Sequence, residues 1–186
     1  MMNARHTYCS ALLLAALACF FPSFMHAEEK NGFTTHAFFK HIIGEWKSFG
    51  DLKNAEAQPV QVTEEWKAEA AGPNTLTIEG TRTINGDTRS YKWTITQNLA
   101  TGIFEAELKA DTNSPDSIRF ELNVDEAAMK AELTGFLNAG GSKVILIDQF
   151  PEKDRDSFET KVTLTDENGT ATLSGTLKNE RTKKKP

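Results

Sequence analysis

The fold turns on one stretch: Val60-Gln-Val-Thr-Glu-Glu-Trp-Lys-Ala68, Gly72-Pro73-Asn74, Leu76-Thr-Ile-Glu-Gly-Thr-Arg-Thr-Ile84, Asn85-Gly86 and Tyr91-Lys-Trp-Thr-Ile95. Each long run alternates apolar and polar residues, which sets one face against a core and the other in water. The breaks between them are short. Asn-Gly tolerates positive φ at both central positions of a type I′ turn, and Gly-Pro-Asn also reverses a chain. Strands joined this tightly are antiparallel neighbours. A reversal centred on Pro73 sets Glu64 opposite Arg82. One centred between Asn85 and Gly86 sets Arg82 opposite Arg89 and Ile78 opposite Trp93.

The same pattern extends outward in both directions. Gly44-Glu-Trp-Lys-Ser-Phe49 precedes it, and Phe104–Leu108, Ile118–Val124, Met129–Leu133, Val144–Ile147, Phe158–Leu164 and Ala171–Leu177 follow, with turn residues such as Asn168-Gly169 between. No stretch after Gly44 has a long helical period, which argues against crossovers and a parallel sheet. The expectation is an all-β, antiparallel up-and-down β-barrel of about ten strands, since closure removes exposed edges. One helix is expected just before the first strand, capped by Thr34 or Thr35, with Phe38, Phe39, Ile42 and Ile43 on one side to close one barrel end.

Residues before Glu28 read differently. Arg5 and His6 lead into the apolar Ser10–Phe21, and Ala27 precedes Glu28-Glu29-Lys30, the layout of a secretory signal peptide over residues 1–27. The apolar run is short for a membrane span. Lipidation at Cys19 is the lesser alternative. The expected domains are the signal, a tail and helix over 28–43, the barrel over 44–181 and a basic tail over 182–186; the protein is expected to be periplasmic or secreted. Without residues 1–27 the chain has 159 residues, no cysteine, and 20 Lys and Arg against 26 Asp and Glu. That excludes thiol chemistry, and the acidic balance argues against a nucleic-acid partner. His36 and His41, five apart on a helix, diverge too far to chelate one metal. Neither a metal nor a cofactor is expected, nor an integral membrane span in the mature chain.

A short helix running into Gly44-Glu45-Trp46 resembles the Gly-x-Trp signature of the lipocalin-like (calycin) superfamily. From Phe38 to Arg181 the chain is also similar to secreted bacterial lipocalin-like families of unknown function. The resemblance implies a barrel in which an Arg or Lys from the last strand covers the Trp ring. Arg181 shares parity with Leu173 and Leu177 and is the residue placed to cover Trp46.

Taking the apolar parity as inward gives a greasy lumen, with room expected at the small residues Gly80, Ala106, Ala131 and Gly175. The candidate ligand-binding residues are Glu64, Trp66, Arg82, Arg89, Tyr91, Trp93, Phe104 and Phe120. One acid facing two guanidiniums leaves a spare cation for the acidic head of an apolar ligand, since Arg binds carboxylate bidentately. Alternatively the trio is a hydrated ion network with Arg89 in solvent. Asp148 and Thr160 share the inward parity without an assignable partner. The expected function is binding of a small apolar or amphipathic ligand in the lumen. A second reading is a protein-interaction module using its outer surface, where Ile103, Phe136, Ile145 and Ile147 point outward and strand 144–147 is apolar on both faces. An isomerase or hydrolase built on Glu64 is the least favoured reading.

Overall fold

The computed structural model describes residues 32–112, 115–137 and 141–182. The expected signal peptide, with Cys19, lies outside the described residues, as does the basic tail beyond Thr182. A single helical turn, α1 (Phe39–Ile42), precedes ten strands: β1 (Gly44–Asn54), β2 (Pro59–Gly72), β3 (Thr75–Ile84), β4 (Asp87–Gln97), β5 (Phe104–Lys109), β6 (Ile118–Asp125), β7 (Lys130–Phe136), β8 (Lys143–Gln149), β9 (Ser157–Thr165) and β10 (Ala171–Arg181). Each strand pairs antiparallel with its sequence neighbours, and β1 pairs with β10, closing the barrel. Closure leaves no free edge.

Alternation decides which side faces in. Along β2, Val62, Glu64, Trp66 and Ala68 are buried, whereas Gln61, Thr63, Glu65 and Lys67 are exposed. The register follows from the turns. Glu64 lies opposite Arg82, Arg82 opposite Arg89, and Ile78 opposite Trp93. At the β3–β4 turn both Asn85 and Gly86 have positive φ (49° and 91°), as a type I′ turn requires.

Two local expectations are corrected. Asn168-Gly169, expected like Asn85-Gly86 to form a two-residue type I′ turn, does not, because only Gly169 takes positive φ at the β9–β10 connection. A five-residue loop forms instead, organised by Asp166 Oδ1, which accepts from the Asn168 and Thr170 amides at 2.9 and 2.8 Å. The helix is shorter than expected and has no side-chain cap. The Thr35 hydroxyl donates to the Gly32 carbonyl at 3.0 Å instead. Burial holds this segment in place: Phe33, Phe38, Phe39 and Ile42 join the main core with Trp46, Trp66 and Phe150. None of the described helices is long and apolar enough to cross a membrane.

Ile145 and Ile147 on the outer face of β8 are half-buried within the chain itself. They lie beside Thr134 and Thr163, and beside Glu132 and Lys161, on the flanking strands.

Candidate functional site

The barrel encloses a cavity of about 300 Å³. Most of the lining is apolar and comes from strands all round the barrel, including Val62, Ile78, Trp93, Phe120, Leu146 and Leu177. Set among these are six polar side chains: Glu64, Arg82, Tyr91, Asp148, Thr160 and Asn179. The lining extends to Ile84 and Leu137, 41% and 42% exposed, so the cavity reaches the surface beside the β3–β4 and β7–β8 connections.

The polar side chains form two separate constellations. In the first, Glu64 Oε1 pairs with Arg82 Nε, and the Tyr91 hydroxyl donates to Glu64 Oε2 at 3.2 Å. The Arg82 guanidinium also sits 4.8 Å from the centre of the Tyr91 ring. Burial, reinforced by the Glu64 charge, pushes the Tyr91 phenol well above its ordinary range, so it stays a neutral donor. Burial opposes the charged form of Arg82, but attraction to Glu64 outweighs it and holds the guanidinium protonated.

The second constellation is a relay across adjoining strands. Trp66 Nε1 donates to Ser48 Oγ at 2.8 Å, and Ser48 Oγ donates to Asn179 Oδ1 at 2.6 Å. Asn179 Nδ2 donates to Thr160 Oγ1 at 3.0 Å, and Thr160 Oγ1 donates to Asp148 Oδ1 at 2.6 Å. Burial pushes the Asp148 carboxyl up to about 6; the Thr160 bond acts against the rise and the Glu64 charge adds to it.

Of the expected binding residues, Glu64, Trp66, Arg82, Tyr91, Trp93 and Phe120 line this one cavity. Arg89 does not. It is exposed on the hairpin and pairs with Asp87 at 3.0 Å, because three residues beyond the turn it lies outside the lumen. Phe104 is also displaced from the expected site. Its ring packs 5.0 Å from Phe39, 5.7 Å from Phe33 and 5.2 Å from His36, against the N-terminal segment. Gly80 does not leave open space, since a Cβ there would meet the Cβ of Trp66. Ser48 and Asn179 were missed by sequence reasoning. Their even spacing from Trp46 and from Arg181 is the available signal, but a polar side chain at inward parity interrupts the apolar alternation that marks the lumen face.

At the start of β1, the Arg181 guanidinium lies 4.3 Å from the Trp46 ring centre. It donates to the carbonyls of Ile43 at 3.0 Å and His41 at 2.5 Å, and to Asp156 at 3.0 Å. Trp46 Nε1 donates to the Ile42 carbonyl at 2.7 Å. Gly44 has φ +140°, and a side chain there would collide with the guanidinium. Nearby, buried His36 contacts Glu126 at 3.0 Å. Burial lowers its basicity, and the Glu126 charge only partly restores it.

No protein-family model matches the chain, and comparison with curated proteins finds no match. Among solved structures, the S-type phycobiliprotein lyase CPES from Guillardia theta is similar at a TM-score of 0.56 and 15% identity, covering 88% of this chain and 100% of that one. A redesigned beta barrel matches at a TM-score of 0.38 and 17% identity, over 80% of this chain and 96% of that one. EF1p2_mFAP2b bound to DFHBI matches at 0.40 and 14%, over 78% and 98%. At such identities the lyase shares the fold alone: a closed antiparallel barrel, the coarse part of the lipocalin-like resemblance.

Proposed function

We propose that the chain is an exported, non-enzymatic lipocalin-like barrel that binds a small apolar or amphipathic molecule in its lumen. The observation that carries this reading is the cavity, mostly apolar with a few polar side chains set into its lining and reaching the surface at one end. The N-terminal turn closes the other end. Its Phe33, Phe38 and Phe39 pack with Phe104, the first residue of β5, and with Met129 and Phe150 in the connections on that side. Catalysis by Glu64 is disfavoured because Arg82 and Tyr91 already occupy both its oxygens.

An outer-surface interaction module has less to support it. Ile103 and Phe136 are 60% and 58% exposed, but one precedes β5 and the other ends β7, so they sit at opposite ends of the barrel and form no common patch.

Native mass spectrometry on protein purified from its source, combined with calorimetric titration of 1-octanol, tests the lumen reading. We expect a co-purifying small mass or stoichiometric octanol uptake; absence of both overturns it. N-terminal sequencing tests export. A mature chain starting within a few residues of Glu28 supports it, a lipid-bearing start at Cys19 replaces the cleavage site, and an intact Met1 overturns it.

A further inference from the structure

Resting on the lumen reading, we propose that the ligand carries a protonated amine at one end of an apolar body and binds with that head against Asp148. The argument begins with the charges facing the cavity. Among the described lining residues these are Glu64, Arg82 and Asp148. Glu64 and Arg82 neutralise each other, and Arg89 is outside with Asp87. That pairing leaves no net positive charge in the lumen, so the charge that is not offset is the carboxylate of Asp148.

The relay fixes how that carboxylate is presented. The Trp66 indole can only donate, so Ser48 Oγ must accept from it and spend its own proton on Asn179 Oδ1. Asn179 Nδ2 also donates to the Phe158 carbonyl at 3.2 Å, an acceptor only, which fixes the orientation of the amide. Thr160 Oγ1 therefore accepts from Asn179 and has to give its proton to Asp148 Oδ1. Every link points the same way, and the chain terminates on an acceptor. Asp148 Oδ2 has no protein donor among the described residues. Since every fully buried side-chain oxygen and nitrogen described has a partner, Oδ2 is open to the lumen.

A carboxylate held this way, in a mostly apolar lining, lacks one thing: a charged donor to complete its hydrogen bonding. An ammonium head supplies it, while the alkyl body lies against Trp93, Leu133 and Leu146. An acidic head would meet two carboxylates, Glu64 and Asp148, against the one guanidinium of Arg82, whereas a hydroxyl would supply a weaker, neutral bond. The other titratable groups lining the lumen, Glu64, Arg82 and Tyr91, are bound to one another, so the pH dependence of amine binding follows Asp148. Amine affinity rises as pH increases through the ionisation of Asp148, and octanol affinity stays level.

The test is calorimetric titration of the full chain with n-octylamine, 1-octanol and octanoate at pH 7.5. Octylamine is expected to bind roughly tenfold or more tightly than octanol, with octanoate weakest. Asp148→Asn keeps the side-chain shape and should bring octylamine and octanol within about twofold of each other. Octanol binding by the variant reports an intact lumen. Independently of any variant, the wild-type preference for octylamine should shrink as the pH falls from 7.5 to 5. Octanol binding without an amine preference, tightest binding of octanoate, or a preference that survives Asp148→Asn would overturn this proposal and leave the lumen reading in place. Failure of all three to bind overturns both.

Discussion

Arg181 has a side chain only 2% exposed, yet its charge is met on every side by Asp156, two backbone carbonyls and the face of Trp46. Arg181→Met would remove the charge but leave the His41 and Ile43 carbonyls without their donor. We expect a loss of about 2–4 kcal/mol, read from urea denaturation. Arg181→Lys should recover only part of this, because a compact ammonium cannot reproduce the planar fork that reaches both carbonyls and Asp156. A loss under half a kcal/mol for Arg181→Met would mean that the cluster is decorative. Arg181 and Trp46 were legible in the sequence because parity and the Gly-x-Trp pattern point to side chains. The His41 and Ile43 carbonyls were not, because backbone acceptors have no residue signature.

At the scale of elements, the two Asn-Gly pairs make a controlled comparison. In the β3–β4 hairpin Asn85 has φ +49°, and its Oδ1 accepts from the Gln61 amide at 3.0 Å. Asn85→Ala should therefore cost about 1–2 kcal/mol, while Asn168→Ala, at ordinary φ in an exposed loop, should stay within ~0.5 kcal/mol. Paired thermal melts decide it, and equal effects would refute the difference in turn type. The dipeptides were identical on the page; the loop around Asp166 differs because its own side chain offers the amides a better arrangement. The relay across β1, β2, β8, β9 and β10 was illegible for a related reason. Pairing of β1 with β10 brings Ser48 to Asn179 across 131 residues, and only closure of the barrel sets that register. Ser48→Ala would strand the Trp66 indole N–H and Asn179 Oδ1 together. An expected cost of roughly 2–3 kcal/mol in urea, far above that of a surface Ser→Ala, would mark the relay as structural support for the lumen wall.

For the whole molecule, the described barrel contains no cysteine, so its stability rests on burial and closure, and its pH response on two buried groups of opposite sign. Burial holds His36 below its ordinary 6.5. The unfolded chain therefore binds the proton more readily, and this contribution is present above pH 6.5 and lost as the pH falls. Asp148 is raised from 3.8 to about 6, so the folded state binds the proton more tightly. Its contribution is present below pH 3.8 and lost as the pH rises to about 6, above which the free barrel holds an ionised carboxylate at a cost. Asp148→Asn removes that cost without changing shape. The variant should be more stable than the wild type by ~1–3 kcal/mol at pH 7.5, with the advantage shrinking toward zero near pH 4. Urea midpoints at pH 4, 6 and 7.5 measure it, and parallel profiles for the two proteins would mean that Asp148 is not strained by the lumen. The sign distinguishes a binding group from a structural one. A carboxylate whose removal stabilises the empty barrel is not there to hold the fold together, and its cost is recovered only when a cation arrives beside it.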